Sequence, residues 1–230
     1  MTGEQQIMKY LLQKARTRGA SVAGYVPAEL LRDCPSAQAA GPQGFQTFSG
    51  TIVVLGLYHD PEKPGMDWWE EGRSTPGDRM LRRIIRELIV WLKEEFGIAA
   101  AEIPYQISDG GIYLKDAAVL AGIGYIGENN LVITPDFGPR VRFRALWVDI
   151  DTEPPALQKQ ETPLCDTCDR PCKAQCPQHA FSGGHYSRER CAARLNTEKE
   201  QSARKQGGGK KSPHVPCRIC ELVCPAGTVL

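Results

Sequence analysis

The chain has 230 residues, of which 41% are hydrophobic and 24% are charged, and its formal net charge is +1. This composition is sufficient for a buried core and excludes a disordered chain, and the near-neutral charge gives no sign of a strongly polyanionic partner. No apolar stretch approaches the roughly 20 residues of a membrane span and no secretory signal is visible, so we expect a cytoplasmic protein without a membrane partner.

The N-terminal part predicts helices and strands that intermix along the chain. Helical spacing of apolar residues, or a helix-opening proline, predicts four helices: from about residue 7 to Gly19, Pro27 to Leu31, Asp78 to Phe96, and Ile112 to Ala121. Short apolar runs predict four strands: Thr51–Tyr58, Ile103–Ile107, Leu131–Thr134 and Val141–Ile150. Elements mixed in this way indicate a layered α/β or α+β fold.

A polar, proline-bearing stretch from Glu153 to Pro163 indicates a linker, which places a domain boundary near residue 155. We therefore expect two domains, 1–155 and 156–230. The second contains eight of the nine cysteines, and Cys34 stands alone in the first. In a reducing compartment such a concentration of cysteines indicates metal binding or chemistry more than disulfides.

The cysteines form two motifs that end in Cys-Pro. Cys165, Cys168, Cys172 and Cys176 have the spacing C-x2-C-x3-C-x3-C, with Pro177 following. The two-cluster ferredoxin run is C-x2-C-x2-C-x3-C-P, so this chain carries one extra residue before the third cysteine. The second motif has the last three positions of that run and consists of Cys217, Cys220 and Cys224, followed by Pro225.

These motifs predict two [4Fe–4S] clusters. In the ferredoxin run the fourth cysteine binds the other cluster, and Cys191 is the spare cysteine that completes the second one. The first cysteine set is then Cys165, Cys168, Cys172 and Cys224, and the second cysteine set is Cys176, Cys191, Cys217 and Cys220. His214 is an alternative ligand to Cys191. Zinc sites and a disulfide framework are the competing interpretations, but zinc sites do not call for Cys-Pro endings and no signal peptide favours disulfides.

Three glycines, Gly122, Gly124 and Gly127, satisfy the G-x-G-x-x-G spacing of dinucleotide sites. A dinucleotide motif follows a strand and opens a helix, whereas this one follows a predicted helix and precedes a strand. The glycines still predict a close approach of the backbone to a cofactor or to another strand, with a packing turn as the alternative. Arg140 and Arg142 alternate along a predicted strand and share a face, where they could bind acidic groups of a cofactor or simply face solvent.

The segment AGIGYIGENNLVITPDFGPRVRF, the cysteine order and the isolated Arg190-Cys191 resemble epoxyqueuosine reductases and their shorter relatives. The resemblance covers roughly residues 50–230. It implies a nitroreductase-like N-terminal domain that binds cobalamin and a ferredoxin-like C-terminal domain with two [4Fe–4S] clusters, as in corrinoid-dependent reductive dehalogenases. In that family, single electrons pass from the clusters to cobalamin, which removes an epoxide oxygen from a modified tRNA base with an aspartate as proton donor.

The resemblance assigns the proton-donor role to Asp109, for which a turn aspartate capping the next helix is the alternative. The three glycines, Arg140 and Arg142 are the candidate cofactor-binding residues, on the patterns given above. The family's Gly-Lys-Asn is Gly127-Glu128-Asn129 here, which exchanges a cation for an anion. The chain ends six residues after Cys224, so we expect no C-terminal repeat domain, which puts a tRNA partner in doubt.

Three functions remain open. The first is a cobalamin-dependent reductase of the epoxyqueuosine reductase type, with an unknown substrate. The second is a non-enzymatic electron carrier or reductive activator whose partner is a corrinoid or corrinoid protein. The third is an iron–sulfur flavoprotein, with FMN in the nitroreductase-like domain. Each requires an external low-potential electron donor.

Overall fold

A computed structural model describes residues 3–34, 37–38, 41–69, 73–155, 164–194, 197 and 216–227. The chain forms two compact units that alternate along the sequence. The first unit comprises Met1–Tyr58, Met80–Tyr125 and Arg142–Glu161, and the second unit comprises His59–Arg79, Ile126–Val141 and Thr162–Leu230.

A four-stranded sheet forms the centre of the first unit. Its strands stand in the order β1-β2-β6-β3 and are β1 (Val22–Pro27), β2 (Thr51–Tyr58), β3 (Ala100–Glu102) and β6 (Val141–Val148). β1 is antiparallel to β2, with Val22 opposite Gly56, and β3 is antiparallel to β6. All residues of β2 except Tyr58 are buried, which explains its nearly continuous apolar sequence.

Three helices accompany this sheet, α1 (Gly3–Thr17), α2 (Pro76–Phe96) and α3 (Leu114–Leu120). α1 and α3 pack against β1, and α3 also contacts β2. A Cβ atom at Gly24 of β1 would lie 2.6 Å from the carbonyl oxygen of Ala121, so glycine is required where the end of α3 approaches the strand. The apolar stripe of α2 is buried and consists of Leu81, Ile84, Ile85, Leu88 and Leu92.

The remaining elements are short. Two strands pair as a separate sheet, β4 (Tyr125–Ile126) and β5 (Val132–Ile133). The described part of the cysteine-rich segment includes the single-turn helices α4 (Pro171–Ala174) and α5 (Ile219–Leu222), which contact each other, and a helical stretch at 188–194. No helix in the described part of the chain is both long and apolar enough to cross a bilayer.

The predicted α+β class is confirmed, as are the bounds of β2 and the end of the long helix α2 at Phe96. This helix begins at Pro76, two residues before the predicted start at Asp78. The nitroreductase-like layering stays a prediction. The predicted strand Ile103–Ile107 is wrong. The strand ends at Glu102, because Pro104 lacks an N–H for sheet pairing and the chain then turns through a 3-10 segment, Ile107–Asp109. β1 was not predicted, since Gly24 and Pro27 interrupt its apolar pattern.

The compact units also differ from a single division of the chain. Segments 59–79 and 126–141 precede residue 155, yet they group with the cysteine-rich segment. Side-chain bonds join these segments to the cysteine-rich segment, from Asp67 to Arg218 and from Arg140 to Cys224. The division into domains 1–155 and 156–230 stays a prediction.

Candidate metal centres

Four cysteines of the second unit lie on helical segments. They are Cys165 in the 3-10 turn Leu164–Asp166, Cys172 in α4, Cys191 in the helical residues 188–194 and Cys220 in α5. Arg170 caps α4 with a left-handed φ of 55°, and Pro171 begins the helix, where a missing N–H leaves no bond unmade. This local turn accommodates the extra residue between Cys168 and Cys172.

The thiols of the first cysteine set are neighbours. Burial is the main cause of a raised pKa at Cys172, and the thiols of Cys224, Cys165 and Cys168 raise that pKa further. Cys224 also has a raised pKa, again mainly from burial, with Cys165 and Cys168 contributing. The N–H of Ala226 and the positive charge of Arg140 act in the opposite direction on Cys224.

The thiols of the second cysteine set are neighbours in the same way. Burial raises the pKa of Cys220 to about 12, and the other contributors are Cys191, Cys217, Glu221 and Cys176. Tyr186 makes a side-chain hydrogen bond with Cys191, and burial followed by that bond raises the pKa of the tyrosine. The structure therefore brings eight thiols into the two groups of four that the spacing predicts.

Ligation of iron by these groups stays a prediction. Within the described residues no group of three or more His, Cys, Asp or Glu side chains is arranged to hold a metal ion. In a [4Fe–4S] cluster each thiolate binds a different iron, so its four ligands lie further apart than the ligands of one ion. Four cysteine thiolates are the donor set that such clusters use.

Arg140 connects the first cysteine set to the segment before β6. It is 4% exposed, and its two terminal nitrogens donate to the carbonyl oxygens of Ala226, at 2.7 Å, and Cys224, at 2.8 Å. A Cβ atom at Gly138 would lie 1.9 Å from the Ala226 oxygen, and one at Gly227 would lie 2.0 Å from the Gly138 nitrogen. The turns at Gly138 and Gly227 thus pack backbone against backbone, and the two hydrogen bonds of Arg140 hold them together.

A buried charged network lies beside the second cysteine set. Arg218 is next to Cys217 in sequence, and its guanidinium pairs with Asp67 and Glu221 and donates to the carbonyl oxygen of His59 at 3.2 Å. The Asp67 carboxylate also contacts Nδ1 of His59 at 2.9 Å. All four side chains are less than 9% exposed, so the cation is neutralised by carboxylates without help from water.

This network was not found by sequence reasoning. Its one local signal is the position of Arg218 between two cysteines of a motif. Nε2 of His59 is buried and has no hydrogen-bond partner among the described residues. It abuts Gly77, where a Cβ atom would lie 2.2 Å away, so glycine at this position makes room for the imidazole.

The segment that departs from the family pattern also contacts the cysteine turns. The Glu128 carboxylate pairs with Lys173, which lies between Cys172 and Cys176. The hydrogen bond from Lys173 is the main cause of the lowered pKa of Glu128. Arg170 lies 3.8 Å from the same carboxylate. The Asn129 amide donates to the Cys220 carbonyl oxygen at 3.2 Å. The anion at position 128 is therefore matched by cations of the cysteine-rich segment.

The glycine motif has clear packing roles. Gly122 has a φ of 71° and ends α3 in a Schellman motif, in which Ile123 N–H bonds to the Ala118 carbonyl. Gly127 faces Ile133 of β5, where a Cβ atom would lie 2.7 Å from the Ile133 side chain. Gly124 is buried. The motif follows a helix and precedes β4, as the sequence indicates, and its assignment to a cofactor stays a prediction.

The remaining predicted residues are Asp109, Arg142 and His214. Asp109 is exposed, belongs to the 3-10 segment Ile107–Asp109, and accepts a hydrogen bond from the Ser108 hydroxyl at 3.2 Å. It does not cap α3, whose N-cap is Tyr113 without a side-chain cap bond. Arg142 is partly exposed on β6. His214 lies outside the described residues.

A small cavity in the first unit is lined in part by residues that follow the Asp109 turn in the sequence. Its volume is about 160 Å³, and its lining includes Cys34, Phe45, Phe48 and Tyr113. Burial raises the pKa of the nearby Asp116 carboxyl, and a hydrogen bond with Cys34 opposes that rise. Ligand sites for drug-sized molecules occupy about 300–1,000 Å³, so this cavity suits only a smaller molecule.

An α+β unit combined with a unit that gathers eight cysteines into two groups of four defines a protein with a candidate double metal centre. No family model matches the chain. The chain is similar to epoxyqueuosine reductases and reductive dehalogenases, which confirms the predicted resemblance. It is 24% identical to an epoxyqueuosine reductase of Lactococcus garvieae over 76% of this chain and 51% of that one. It is 32% identical to a tetrachloroethene reductive dehalogenase of Desulfitobacterium hafniense over 51% of this chain and 22% of that one.

Solved structures of the same two kinds share the fold. An epoxyqueuosine reductase bound to a tRNA-Tyr stem loop has a TM-score of 0.66 at 20% identity over 98% of this chain and 66% of that one. The Bacillus subtilis enzyme, with its catalytic aspartate loop swung out of the active site, has 0.66 at 19% identity with the same coverage. A reductive dehalogenase described as B12-dependent has 0.54 at 17% identity over 76% and 25%. The chain thus spans half to two thirds of these reductases and a quarter or less of these dehalogenases.

Proposed function

We propose that this chain is an iron–sulfur oxidoreductase of the epoxyqueuosine reductase type. In this proposal two [4Fe–4S] clusters pass single electrons to a cobalamin bound by the N-terminal domain, for the reduction of a substrate that is not assigned. The observation that carries the proposal is the division of eight thiols into two groups of four, each composed only of cysteines. The relatives agree with it, since they are named as reductases and one is described as B12-dependent.

The residues of this chain have separable roles in that function. When bound, the clusters supply reversible one-electron transfer and the cobalamin supplies a strongly reducing centre. The first cysteine set would hold one cluster and the second set the other, and Arg140 and Arg218 would fix the turns that carry them. Low exposure of Cys172 and Cys224 would keep water from the first cluster.

Asp109 is proposed as the proton donor. Its carboxyl group is exposed, and its turn ends at Gly110 in a left-handed conformation with a φ of 87°, so this carboxyl can move without disturbing the core. A movable aspartate agrees with the Bacillus subtilis enzyme, whose catalytic aspartate loop has been seen swung out. A carboxylic acid at this position would deliver its proton to the oxygen or carbon that receives the electrons.

The cobalamin assignment depends on the relatives more than on local geometry. Gly122 and Gly127 serve helix capping and strand packing, and Arg140 bonds to protein carbonyls. The described cavity of the first unit is too small for a corrinoid. A reductive activator that supplies electrons to a corrinoid protein is therefore the second candidate function, and an FMN-containing flavoprotein is the third. A tRNA substrate and a cytoplasmic location stay predictions.

Anaerobic purification followed by quantitation of iron, acid-labile sulfide, cobalt and flavin separates these functions. Two clusters require about eight irons and eight sulfides per chain. Stoichiometric cobalt after supplementation with hydroxocobalamin supports the reductase, clusters without cobalt or flavin support the activator, and bound FMN supports the flavoprotein. Zinc without sulfide would refute all three.

A further inference from the structure

Each cysteine set has one buried arginine beside it, and the two arginines are in opposite electrostatic situations. Arg140, beside the first set, is 4% exposed, and both of its observed partners are neutral carbonyl oxygens. Among the described residues it has no carboxylate partner. Arg218, beside the second set, is 7% exposed and pairs with the carboxylates of Asp67 and Glu221.

This difference gives the two sets a different local charge. The positive charge of Arg140 is uncompensated by any described side chain and acts on Cys224, where it favours the thiolate. The charge of Arg218 is matched by two carboxylates, so its network has no net positive charge whether or not His59 carries a proton. Glu221 acts in the other direction on its own set, since it disfavours a thiolate at Cys220.

Hydrogen bonds to sulfur add to the same contrast. The first set receives backbone N–H groups from Arg170 to Cys168, at 3.4 Å, from Lys173 to Cys172 and from Ala226 to Cys224. The second set receives the N–H of Ala180 to Cys176 at 3.4 Å and, within the described part of the chain, a side-chain bond from Tyr186 to Cys191. Hydrogen bonds to the sulfurs and nearby positive charge both stabilise the extra electron of a reduced cluster.

We propose that the two clusters have different reduction potentials, with the higher potential at the first cysteine set because of Arg140. The inference rests on the proposed function, since it requires both clusters. Each reduction adds one electron to a cluster, from the 2+ to the 1+ state of its core, without making or breaking a bond. The electron comes from a low-potential one-electron donor. The first electron to enter the pair then resides at the first set, and only the second set holds the more strongly reducing electron.

The test is a redox titration of the cluster-loaded full chain with dithionite, followed by electron paramagnetic resonance. The wild type is expected to show two one-electron steps. Arg140→Gln should lower the higher step by at least tenfold in the reduction equilibrium, which is about 59 mV for one electron, and leave the lower step in place. Arg140→Lys keeps the charge and should leave both steps near their wild-type positions. Glu221→Gln removes a negative charge from the second set and should raise only the lower step.

Arg170→Gln is the matched control. Arg170 is adjacent to the same cysteine set, but its side chain is 51% exposed and lies 3.8 Å from Glu128, so solvent screens its charge. Its replacement should shift the higher step much less than Arg140→Gln does.

The proposal is overturned if Arg140→Gln moves the lower step or neither step, or if Arg170→Gln shifts the higher step equally. If Arg140→Gln does not retain iron, Glu221→Gln decides, and an unmoved lower step overturns the proposal. Absence of iron and sulfide in the wild type would instead refute the proposed function.

Discussion

Gly138→Ala tests whether the packing of two glycine turns maintains the first cysteine set. The left-handed conformation of residue 138, with a φ of 55°, costs about 1–2 kcal/mol for an alanine. The added Cβ atom would also lie 1.9 Å from the carbonyl oxygen of Ala226, a separation that no rotation of a side chain can relieve. The 224–227 turn must therefore move, and it carries Cys224 and the acceptors of both Arg140 bonds.

We expect this displacement to add the loss of two charge-assisted hydrogen bonds, each worth about 1.5–3 kcal/mol, to the backbone cost. The total destabilisation is then about 4–8 kcal/mol, a large fraction of the stability of a small domain. Loss should be confined to the first cluster, so the iron content should fall from about eight to about four per chain. Urea unfolding and iron analysis measure the two effects.

Gly97→Ala is the control, because Gly97 is also left-handed, with a φ of 69°, and has nothing within 4 Å of an added Cβ atom. It should therefore cost only the backbone term and retain all of the iron. Equal stability and equal iron content of the two variants would refute the argument that the close approach of these turns holds the first cysteine set.

Two further predictions concern the cysteines. Cys191→Ala should remove the second cluster and leave about four irons, whereas Cys34→Ala should retain about eight; full retention by Cys191→Ala would mean that His214 or an outside ligand completes the second set. The raised pKa of Cys220, about 12 against an ordinary 9.0, makes the cluster-free protein less stable as pH rises from 9 to 12, because the unfolded chain releases the thiol proton first. In oxygen-free urea titrations this thiol should lower the free energy of unfolding by close to 1.4 kcal/mol per pH unit. A Cys220→Ala variant with the same dependence of stability on pH would contradict the assignment.

The sequence predicts the long periodic elements well, and the cysteine spacing predicts how the cysteines group. α2 and β2 have strong apolar patterns, and the two groups of cysteines follow from the way a ferredoxin run shares its last cysteine. Sequence reasoning missed the contacts of the two buried arginines. Arg140 and Cys224 are 84 residues apart, and Arg218 and His59 are 159 residues apart, so no local pattern relates them. The alternation of Arg140 and Arg142 fits an exposed strand face or a ligand contact equally well. In the structure Arg140 precedes β6, and it bonds to a turn that the sequence does not reveal.

The interleaving of the two units along the sequence bears on the stability of the candidate metal centres. Each early segment of the second unit supplies a bond to a turn that carries cysteines. Segment 59–79 supplies Asp67 to Arg218, and segment 126–141 supplies Arg140 to Cys224 and Asn129 to Cys220. A fragment of residues 156–230 contains all eight cysteines but none of these partners, and it leaves Arg218 without one of its two carboxylates.

We therefore expect the 156–230 fragment to lose its clusters faster than the full chain when an iron chelator is added without oxygen. The loss should be followed by the decay of visible absorption, with both proteins reconstituted in parallel. The full chain carrying Asp67→Asn and Arg140→Gln together is the matched comparison, because it removes two of the charges that the fragment lacks while keeping every segment. It should decay at an intermediate rate. A fragment that keeps its clusters as long as the wild type would show that residues 156–230 form an independent ferredoxin-like domain, with the interleaved segments packing against a centre that is already complete.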